Sequence, residues 1–339
     1  MTSGNDYDAI VLVSFGGPEA RQDVLPFLEN VTRGRQVPRE RLLEVAEHYY
    51  RFDGVSPLNG QVRELREALV AQLASREIDL PIYWGNRNWD PLLPDTMAEM
   101  AAEGVKHVLA VVLAGYSSYS SCRQYREDLE SARQSVGDHA PTVDKVRAFF
   151  NHPEFVSATA ECLQAALGEA KDPHVAFTAH SLPSSMAAGC DYESQLNETA
   201  RLVCKECGVS DDRWQVVYQS RSGRPQDPWL EPDILDHMRS LNERGVSSLV
   251  VHPIGFLSDH LEVLFDLDVE ASELAGELGM QFVRAATVGV HPTFVGMLGE
   301  LIAERIFDQS ERRCAGELPP CLDVCRVDCC PSGRPVRAG

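Results

Sequence analysis

The 339-residue chain has few basic residues, few aromatic residues and no long apolar segment. Its 31 Lys and Arg face 51 Asp and Glu, which argues against a nucleic-acid backbone as the main partner because phosphate binding needs a basic surface. The longest apolar run, Val108–Ala114, is about a third of the roughly 20 residues that cross a bilayer, so it predicts a buried strand. The polar stretch Met1–Asp8 lacks the apolar core of a secretory signal. We therefore expect a cytoplasmic protein without a transmembrane segment.

Three motifs of common α/β enzymes are also missing. Neither G-x-G-x-x-G nor G-x-x-x-x-G-K follows the first predicted strand, so its end, Ser14-Phe15-Gly16-Gly17-Pro18, is a weak signal for a nucleotide. The same glycines suit a tight turn over a flat, bulky ligand. No G-x-S-x-G occurs, which argues against an α/β hydrolase with a serine–histidine pair.

Short β-branched runs alternate with longer amphipathic segments along the chain. The predicted strands are Ala9–Ser14, Pro81–Gly85, His107–Leu113, Thr142–Val146, His174–Ala179, Trp214–Gln219, Ser247–His252 and Gln281–Ala285. Predicted helices between them include Gln61–Ser75, Asp95–Glu103, Pro153–Ala170, Tyr192–Glu206, Glu231–Glu243, Leu261–Leu278 and Pro292–Phe307. Apolar strands separated by helices indicate parallel sheets that are covered on both faces. The units fit one barrel or two doubly wound domains, and the break at Asn151-His152-Pro153 favours two domains with four strands each.

Ligands of open α/β sheets bind beyond the carboxyl ends of the strands, and two such ends carry chemically useful side chains. His180 ends the fifth strand, and imidazole exchanges protons or binds metal near neutral pH. After the seventh strand, Glu262, Asp266 and Glu270 recur every four residues, which places three carboxylates on one helix face. Apolar neighbours make this face partly buried, which favours bound metal or protons over free charge. Asp259 is expected to orient the neighbouring His260.

Several segments together resemble one family, the ferrochelatases, and occur in the family's order between residue 9 and about residue 310. They are Ser14-Phe15-Gly16-Gly17-Pro18-Glu19, Gly54-Val55-Ser56-Pro57, Ala179-His180-Ser181-Leu182-Pro183, Gln219-Ser220-Arg221-Ser222-Gly223, Pro228-Trp229-Leu230-Glu231-Pro232 and Ser258-Asp259-His260-Leu261-Glu262. Residues 34–59 and 84–90 look most like the actinobacterial branch. The resemblance implies an enzyme, a lyase that forms nitrogen–metal bonds by inserting Fe²⁺ into a porphyrin.

The family resemblance also implies a fold and a set of site residues. The expected fold is α/β and chelatase-like, with two Rossmann-like domains that each hold a four-stranded parallel sheet flanked by helices. The expected boundaries are 1–150 for the domain with the porphyrin-binding loops, 151–310 for the domain with His180 and Glu262, and 311–339 for a cysteine-rich tail. His180 and Glu262 are expected to face each other across the porphyrin plane. Porphyrin contacts fall on Phe15, Ser56 and Tyr125.

Insertion requires removal of pyrrole protons and of the water bound to iron, and both predicted residues are suited to this chemistry. We expect His180 to be the main base and Glu262 the Fe²⁺ ligand, with Asp266 and Glu270 forming a metal or proton path. The opposite division between His180 and Glu262 stays open, because two coupled groups titrate as a set.

Five of the ten cysteines lie in the last 26 residues, a segment that is too rich in proline to pack as a helix. Clustered thiols in a cytosolic chain suggest zinc or an iron–sulfur cluster. The family resemblance implies a 2Fe–2S cluster held by tail cysteines and one internal cysteine. The expected ligands are Cys162, Cys314, Cys325 and Cys330, with Cys321 and Cys329 as alternates. Cys122 is set aside because it lies in a porphyrin-side loop.

The actinobacterial likeness favours coproporphyrin III as the substrate, since its four carboxylates suit loops that bear Arg33, Arg51, Ser56 and Tyr125. The product would be Fe-coproporphyrin III (coproheme) in heme biosynthesis. Protoporphyrin IX, which gives protoheme, is the alternative substrate. A non-catalytic tetrapyrrole- or metal-binding protein and the insertion of cobalt or nickel into another tetrapyrrole stay open. Enzymes of the heme pathway are possible partners.

Overall fold

The structure, a computed structural model, describes residues 6–34, 37–224 and 226–333. Most of the polar stretch Met1–Asp8 and the last six residues of the predicted tail therefore lie outside the described residues. Within those ranges, no helix is both long and apolar enough to cross a membrane.

The first half of the chain forms a four-stranded parallel sheet. Its strands are β1 (Ala9–Ser14), β2 (Ile82–Asn86), β3 (His107–Val112) and β4 (Thr142–Lys145), in the order β2-β1-β3-β4. Every residue of β1 is buried, as expected for a central strand covered by helices on both faces.

The second half repeats this topology. Its strands are β5 (His174–His180), β6 (Trp214–Gln219), β7 (Ser248–His252) and β8 (Gln281–Arg284), in the order β6-β5-β7-β8 and again all parallel. The prediction of two four-stranded parallel sheets is confirmed, and each predicted strand end agrees with the structure to within one residue. Apolar runs specify the inner strands β1, β3, β5 and β7, which are buried along nearly their whole length. The edge strands β4 and β8 are partly exposed.

Twelve α-helices cover the sheets in the described part of the chain. They are α1 (Val24–Val31), α2 (Arg39–Tyr50), α3 (Leu58–Ala74), α4 (Leu93–Ala102), α5 (Gln124–Val136), α6 (Pro153–Leu167), α7 (Ser184–Ala187), α8 (Tyr192–Cys207), α9 (Ile234–Glu243), α10 (Leu261–Val263), α11 (Ser272–Leu278) and α12 (Pro292–Ile306). The helix predicted over Leu261–Leu278 differs from the structure, because a π-helix (Leu264–Ala271) separates α10 from α11. A second, shorter π-helix covers Tyr119–Arg123.

One hydrophobic core continues from the first sheet to the second. Phe149 and Phe155 meet edge to face with ring centroids 5.5 Å apart, and Phe294 of α12 packs against both rings. All three rings are almost fully buried. Burial of one such side chain stabilises the fold by about 1.5–3 kcal/mol. The two halves are thus joined by packed aromatic side chains, while the domain boundaries at residues 150 and 310 stay a prediction.

A buried ion pair reinforces this junction. Arg147, which follows β4, donates from Nε and Nη2 to the two carboxylate oxygens of Glu304 on α12, both at 3.0 Å. Nη2 also donates to the Arg313 carbonyl oxygen at 2.9 Å. The side chains of Arg147 and Glu304 are essentially inaccessible to solvent. The pair therefore fixes the first sheet, the last helix and the beginning of the tail relative to one another.

Candidate functional site

The carboxyl ends of β1, β5 and β7 lead into the segments that hold the predicted site residues. Phe15 follows β1, His180 is the last residue of β5, and Glu262 lies on α10 after the loop that leaves β7. Parallel strands expose their carboxyl ends at one edge of the sheet, which is where such folds bind ligands. The structure therefore places these residues where the sequence predicts a site.

The imidazole of His180 is held in one orientation by the chain segment that follows it. Its Nδ1 lies 2.6 Å from the Ser181 carbonyl oxygen, which can only accept, so Nδ1 carries the proton in the neutral ring. Nε2 then has a free lone pair and lies 3.9 Å from Glu262 Oε2. About a third of the His180 side chain is exposed. Nε2 is therefore available to accept a proton or to bind a metal ion.

Glu262 and His180 lie on the same side of the site, which corrects one expectation from the sequence. Two groups on opposite faces of a flat macrocycle are at least about 7 Å apart, since each needs a van der Waals contact of about 3.5 Å with the ring. The observed 3.9 Å leaves no room for a porphyrin between them. His260 helps to place Glu262, because its Nδ1 accepts from the Glu262 backbone N–H at 3.2 Å.

The carboxylates of Asp266 and Glu270 continue from Glu262 along the π-helix. Burial raises the pKa of Asp266 to about 7, and the charges of Glu262 and Glu270 add to this shift. Ser220 Oγ and Gln219 Nε2 both donate to Asp266 Oδ2, the latter at 3.1 Å. Burial also raises the pKa of Glu270, and the nearby Asp233 adds to that shift. The predicted acidic face therefore exists as a partly buried row of neighbouring carboxylates.

Asp259 does not orient His260, contrary to the sequence-based expectation. Its carboxylate accepts two hydrogen bonds from Arg284, at 3.1 and 3.2 Å, and a third from Thr287 Oγ1 at 3.3 Å. The reason is geometric, because Arg284 ends β8 beside the loop that carries Asp259 and presents a bidentate fork.

Helix α2 of the first half packs against the π-helix of the second half. The His48 ring stacks on Phe265 with centroids 3.8 Å apart and an interplanar angle of 9°. Tyr49 is buried close to the charges of Glu262 and Asp266, and burial raises the pKa of its hydroxyl. The acidic row therefore lies at the interface between the two halves, and the sequence pattern gave no sign of this packing.

Phe15 and Ser56, two of the predicted porphyrin contacts, lie on neighbouring loops. Phe15 is one of the more exposed large apolar side chains, and its ring meets Phe27 edge to face at 6.2 Å. Ser56 is buried against Gly17, where an added Cβ would lie 2.7 Å from Ser56 Oγ. Glycine at position 17 is thus required for the close approach of the two loops.

Tyr125 is buried beneath Arg87, a residue that sequence reasoning did not select. The Arg87 guanidinium lies 4.8 Å from the centroid of the Tyr125 ring and 5.6 Å from that of Phe15. Its Nε lies 2.5 Å from the carboxylate of Asp128. Arg87 comes just after the carboxyl end of β2. This position in the sequence could have identified it as a residue of the ligand-binding edge of the first sheet.

The two arginines that were predicted to bind porphyrin have different surroundings. Arg33 is exposed, and its Nη2 donates to Asn30 Oδ1 at 2.5 Å. The Arg51 guanidinium lies 5.6 Å from the centroid of the Phe265 ring, and its charge lowers the pKa of Glu270 against the larger effect of burial. Arg51 therefore lies beside the acidic row.

Cysteine thiols of the tail converge on the loop that precedes α5. The Cys325 thiol lies against those of Cys122 and Cys329, and Cys329 lies against Cys330. Cys321 lies beside them, where its sulfur accepts from Gln195 Nε2 at 3.6 Å. Cys122, which the sequence argument set aside, is thus in direct contact with the tail.

The structure does not bring Cys162 or Cys314 into this group. Cys162 Sγ, on α6, lies 3.8 Å from the Thr287 carbonyl oxygen, next to the residues that surround Asp259. Cys314 is exposed at the beginning of the tail, where the adjacent Ala315 N–H donates to the Asn151 carbonyl oxygen. Within the described residues, neither thiol contacts Cys122 or Cys325.

A group of three potential metal ligands, His152, Glu300 and Glu304, lies at the domain junction. Both carboxylates are already paired with arginines, Glu304 with Arg147 and Glu300 with Arg313 at 2.6 Å. Burial lowers the pKa of His152 to about 3, and the charges of the same arginines contribute. Two guanidinium groups at these carboxylates disfavour a cation, so the group is best explained as a structural network.

Comparison with known proteins identifies a family. The family model described as Ferrochelatase matches residues 7–306. A ferrochelatase of Rhodopirellula baltica is 53% identical over 346 residues, which cover 98% of this chain and 98% of the relative. A protein named coproporphyrin III ferrochelatase, from Streptomyces coelicolor, is 47% identical over 367 residues, which cover 100% of this chain and 98% of the relative.

Solved structures extend the likeness to distant chelatases and confirm the chelatase-like fold. SirB from Bacillus subtilis with Fe³⁺ has a TM-score of 0.56 at 12% identity, with 89% of this chain and 96% of the other covered. The sirohydrochlorin chelatase SirB from Bacillus subtilis subspecies spizizenii, in complex with cobalt, has a TM-score of 0.51 at 12% identity, with coverage of 90% and 97%. At such low identity the likeness concerns the fold alone.

The raised pKa of Asp266 predicts a pH-dependent effect of the change Asp266→Asn. Asp266 protonates near pH 7 in the folded chain and near pH 4 in the unfolded chain, so wild-type stability falls as pH rises between about 4 and 7. The asparagine variant lacks this loss. The free energy of unfolding of the variant minus that of wild type should therefore be about 1–3 kcal/mol larger at pH 8 than at pH 5. Urea unfolding at the two pH values measures this difference.

Asp308→Asn is the matched control, because Asp308 is exposed. Its difference from wild type should not change between the two pH values. An equal pH response of the two variants would contradict a raised pKa at Asp266.

Proposed function

The chain belongs to the ferrochelatase family, and on that premise we propose that it inserts Fe²⁺ into coproporphyrin III to give Fe-coproporphyrin III (coproheme) in heme biosynthesis. Metal insertion as such follows from the family. The observation that carries the proposed site is the pair formed by His180 Nε2 and Glu262 Oε2, 3.9 Å apart at the carboxyl edge of the second sheet. A proton acceptor and an oxygen ligand at this separation supply the two functions that insertion needs.

The proposed division of labour follows from the hydrogen bonds around the pair. His180 Nδ1 is occupied by the Ser181 carbonyl oxygen, so Nε2 is the atom that accepts a pyrrole proton. Glu262 is about half exposed and supplies the oxygen that Fe²⁺ binds before it enters the macrocycle. A carboxylate next to the imidazole also stabilises the imidazolium that forms. Asp266 and Glu270 are proposed to lead iron, or the released protons, along the π-helix to Glu262.

Coproporphyrin III as the substrate is supported by relatives and by basic side chains near the proposed cleft. Several relatives that are 44–47% identical, from Streptomyces, Nocardia and Mycolicibacterium among others, are named coproporphyrin III ferrochelatase, whereas the Rhodopirellula relative is named only ferrochelatase. Phe15, Ser56 and Tyr125 are proposed to contact the ring or its carboxylates. Arg33 and Arg51 are proposed as carboxylate ligands, and Arg87 joins them because it lies against Phe15. Protoporphyrin IX, with fewer carboxylates, is the alternative.

Rates with the two porphyrins test this preference. We expect kcat/KM for coproporphyrin III to exceed that for protoporphyrin IX by about tenfold. Each additional arginine–carboxylate hydrogen bond contributes about 1.5–3 kcal/mol, from which the cost of removing the charged groups from water is subtracted. Arg33→Met should reduce this ratio. Arg41→Met is the matched control, since Arg41 is an exposed arginine that pairs with Glu44 on α2. Equal kcat/KM values for the two porphyrins in the wild-type protein would contradict coproporphyrin III as the preferred substrate.

Substitution of the central pair tests the assigned roles. We expect His180→Ala to lower kcat by about 100-fold or more, the usual size of a lost general base, with little change in KM for Fe²⁺. Glu262→Gln should mainly raise KM for Fe²⁺. The measurement is anaerobic steady-state insertion with iron and porphyrin varied separately. If His180→Ala mainly raised KM for Fe²⁺ and Glu262→Gln mainly lowered kcat, the two roles would be the opposite of those proposed. Unchanged kinetics in both variants would show that the pair takes no part in the reaction.

We also propose a 2Fe–2S cluster, held by Cys122 together with three of the four thiols Cys321, Cys325, Cys329 and Cys330. The donor set fits such a group, since these thiols contact one another in series and N–H donors point at their sulfurs. Arg126 Nη1 donates to Cys329 Sγ at 3.8 Å, for example. This set replaces Cys162 and Cys314, which lie elsewhere in the structure. A bound cluster supplies a reversible one-electron centre, whereas zinc at the same thiols would supply none.

Serine substitutions distinguish the two ligand sets. We expect the purified wild-type protein to be brown and to bleach on reduction, and Cys122→Ser to lose this visible absorption. Cys162→Ser is the matched control and should stay brown, because its thiol lies against the Thr287 carbonyl oxygen. A brown Cys122→Ser protein with a colourless Cys162→Ser protein would restore the set predicted from the sequence, and a colourless wild-type protein would favour zinc.

A cytoplasmic location and contacts with enzymes of the heme pathway stay predictions.

A further inference from the structure

Arg284 connects two separate segments around the acidic row. Its Nη1 and Nη2 donate to the two carboxylate oxygens of Asp259 at 3.1 and 3.2 Å, and its Nε donates to Asp268 Oδ1 at 2.6 Å. Asp259 lies in the loop before Glu262, and Asp268 lies within the π-helix. The Arg284 side chain is mostly buried, with 18% exposed. One rigid guanidinium therefore holds the loop and the π-helix at a fixed separation.

The π-helix needs such support because its hydrogen-bond pattern is unfavourable over many residues. Most π-helical segments are single turns inserted in α-helices, whereas this one covers the eight residues Leu264–Ala271. Asp268 lies in its middle, so the bond from Arg284 Nε constrains the wide turn itself. The turn determines how the side chains of Glu262, Asp266 and Glu270 line up.

The other half of the connection constrains the loop before Glu262. Asp259 is also held by Thr287 Oγ1, and its backbone N–H donates to Gln61 Oε1 on α3 at 3.0 Å. The next residue, His260, accepts from the Glu262 backbone N–H. Any displacement of Asp259 is therefore passed through His260 to the first turn of α10, where Glu262 begins the acidic row.

Arg284 achieves this without neutralising the row. Its charge is paired with Asp259 and Asp268, while Asp266 accepts hydrogen bonds from the neutral donors Ser220 and Gln219. The Arg284 guanidinium thus pairs with carboxylates beside the row and not with those proposed to receive iron. A lysine at position 284 would not replace this arginine fully, because a single ammonium group cannot bridge both carboxylates bidentately.

We propose that Arg284 is a positioning residue for iron uptake, which aligns Glu262, Asp266 and Glu270 by holding the preceding loop to the π-helix. The proposal rests on the role given above to Glu262. Arg284 itself touches neither iron nor porphyrin and acts through Asp259 and Asp268.

Steady-state insertion, with Fe²⁺ and porphyrin varied separately in the absence of oxygen, tests this role. We expect Arg284→Met to raise KM for Fe²⁺ about fivefold or more while KM for the porphyrin changes less than about twofold, because only uptake of the metal is impaired. Arg284→Lys should lie between Arg284→Met and wild type. Arg213→Met is the matched control, since Arg213 pairs with Asp172 at the amino end of β6, far along the chain from the acidic row. It should leave both KM values unchanged, and thermal unfolding of each variant reports its stability.

The outcomes separate this inference from the role of Glu262. If Glu262→Gln raises KM for Fe²⁺ but Arg284→Met behaves like Arg213→Met, the positioning role is overturned and Glu262 keeps its function. If Arg284→Met lowers Tm and changes both KM values equally, with no recovery in Arg284→Lys, Arg284 is merely structural and the inference is also overturned. If Glu262→Gln itself leaves KM for Fe²⁺ unchanged, both assignments fail together.

Discussion

Arg147 is a fully buried cation, and its pairing with Glu304 determines how the rest of the chain is arranged. A buried charge is tolerated only when it is paired and hydrogen-bonded, since removal of one partner from such a pair costs about 3–5 kcal/mol. Through Nε and Nη2 the guanidinium joins three segments: the end of the first sheet, the last helix and, through the Arg313 carbonyl oxygen, the tail. The tail begins at this contact, and its thiols lie against Cys122 in the π-helix Tyr119–Arg123. The mutual orientation of the sheets and the position of the cysteine cluster therefore depend on the same contact.

Within this frame, the two parallel sheets explain where the chemistry lies. Each sheet presents the carboxyl ends of its strands at one edge, where the strand fixes the backbone while the side chains stay accessible to a ligand. His180 is an example. The carbonyl oxygen of the next residue accepts from its Nδ1, so Nε2 faces Glu262. Helix α2 then closes over the π-helix, with His48 stacked on Phe265, so the acidic row is sheltered between the halves.

The sequence was sufficient for features that depend on local pattern and insufficient for those that depend on distant pairing. The inner strands were predictable because burial on both faces requires continuous apolar runs. The assignment of His180 and Glu262, which came from the end of β5, the segment after β7 and the family resemblance, stays a prediction. Asp259 was assigned to its neighbour His260, although its partner Arg284 comes from another strand. Cys122 was set aside, although a tail thiol packs against it from some two hundred residues away. No local pattern encodes these contacts, since they exist only once the two sheets are docked.

The energetics of the acidic row indicate why the protein maintains it. Burial raises the pKa of Asp266 to about 7, because the negative charge of this carboxylate is only weakly compensated inside the fold. Arg284 is committed to Asp259 and Asp268, so the hydrogen bonds to Asp266 come from the neutral donors Ser220 and Gln219. Such an arrangement costs stability, and a divalent cation bound at the row, as proposed, would remove that cost. The proposed metal path requires the same carboxylates to release the ion to a porphyrin, and a row of modest, shared sites would serve such transfer better than one tight site. Local instability at this row is therefore consistent with delivery of iron rather than with its storage.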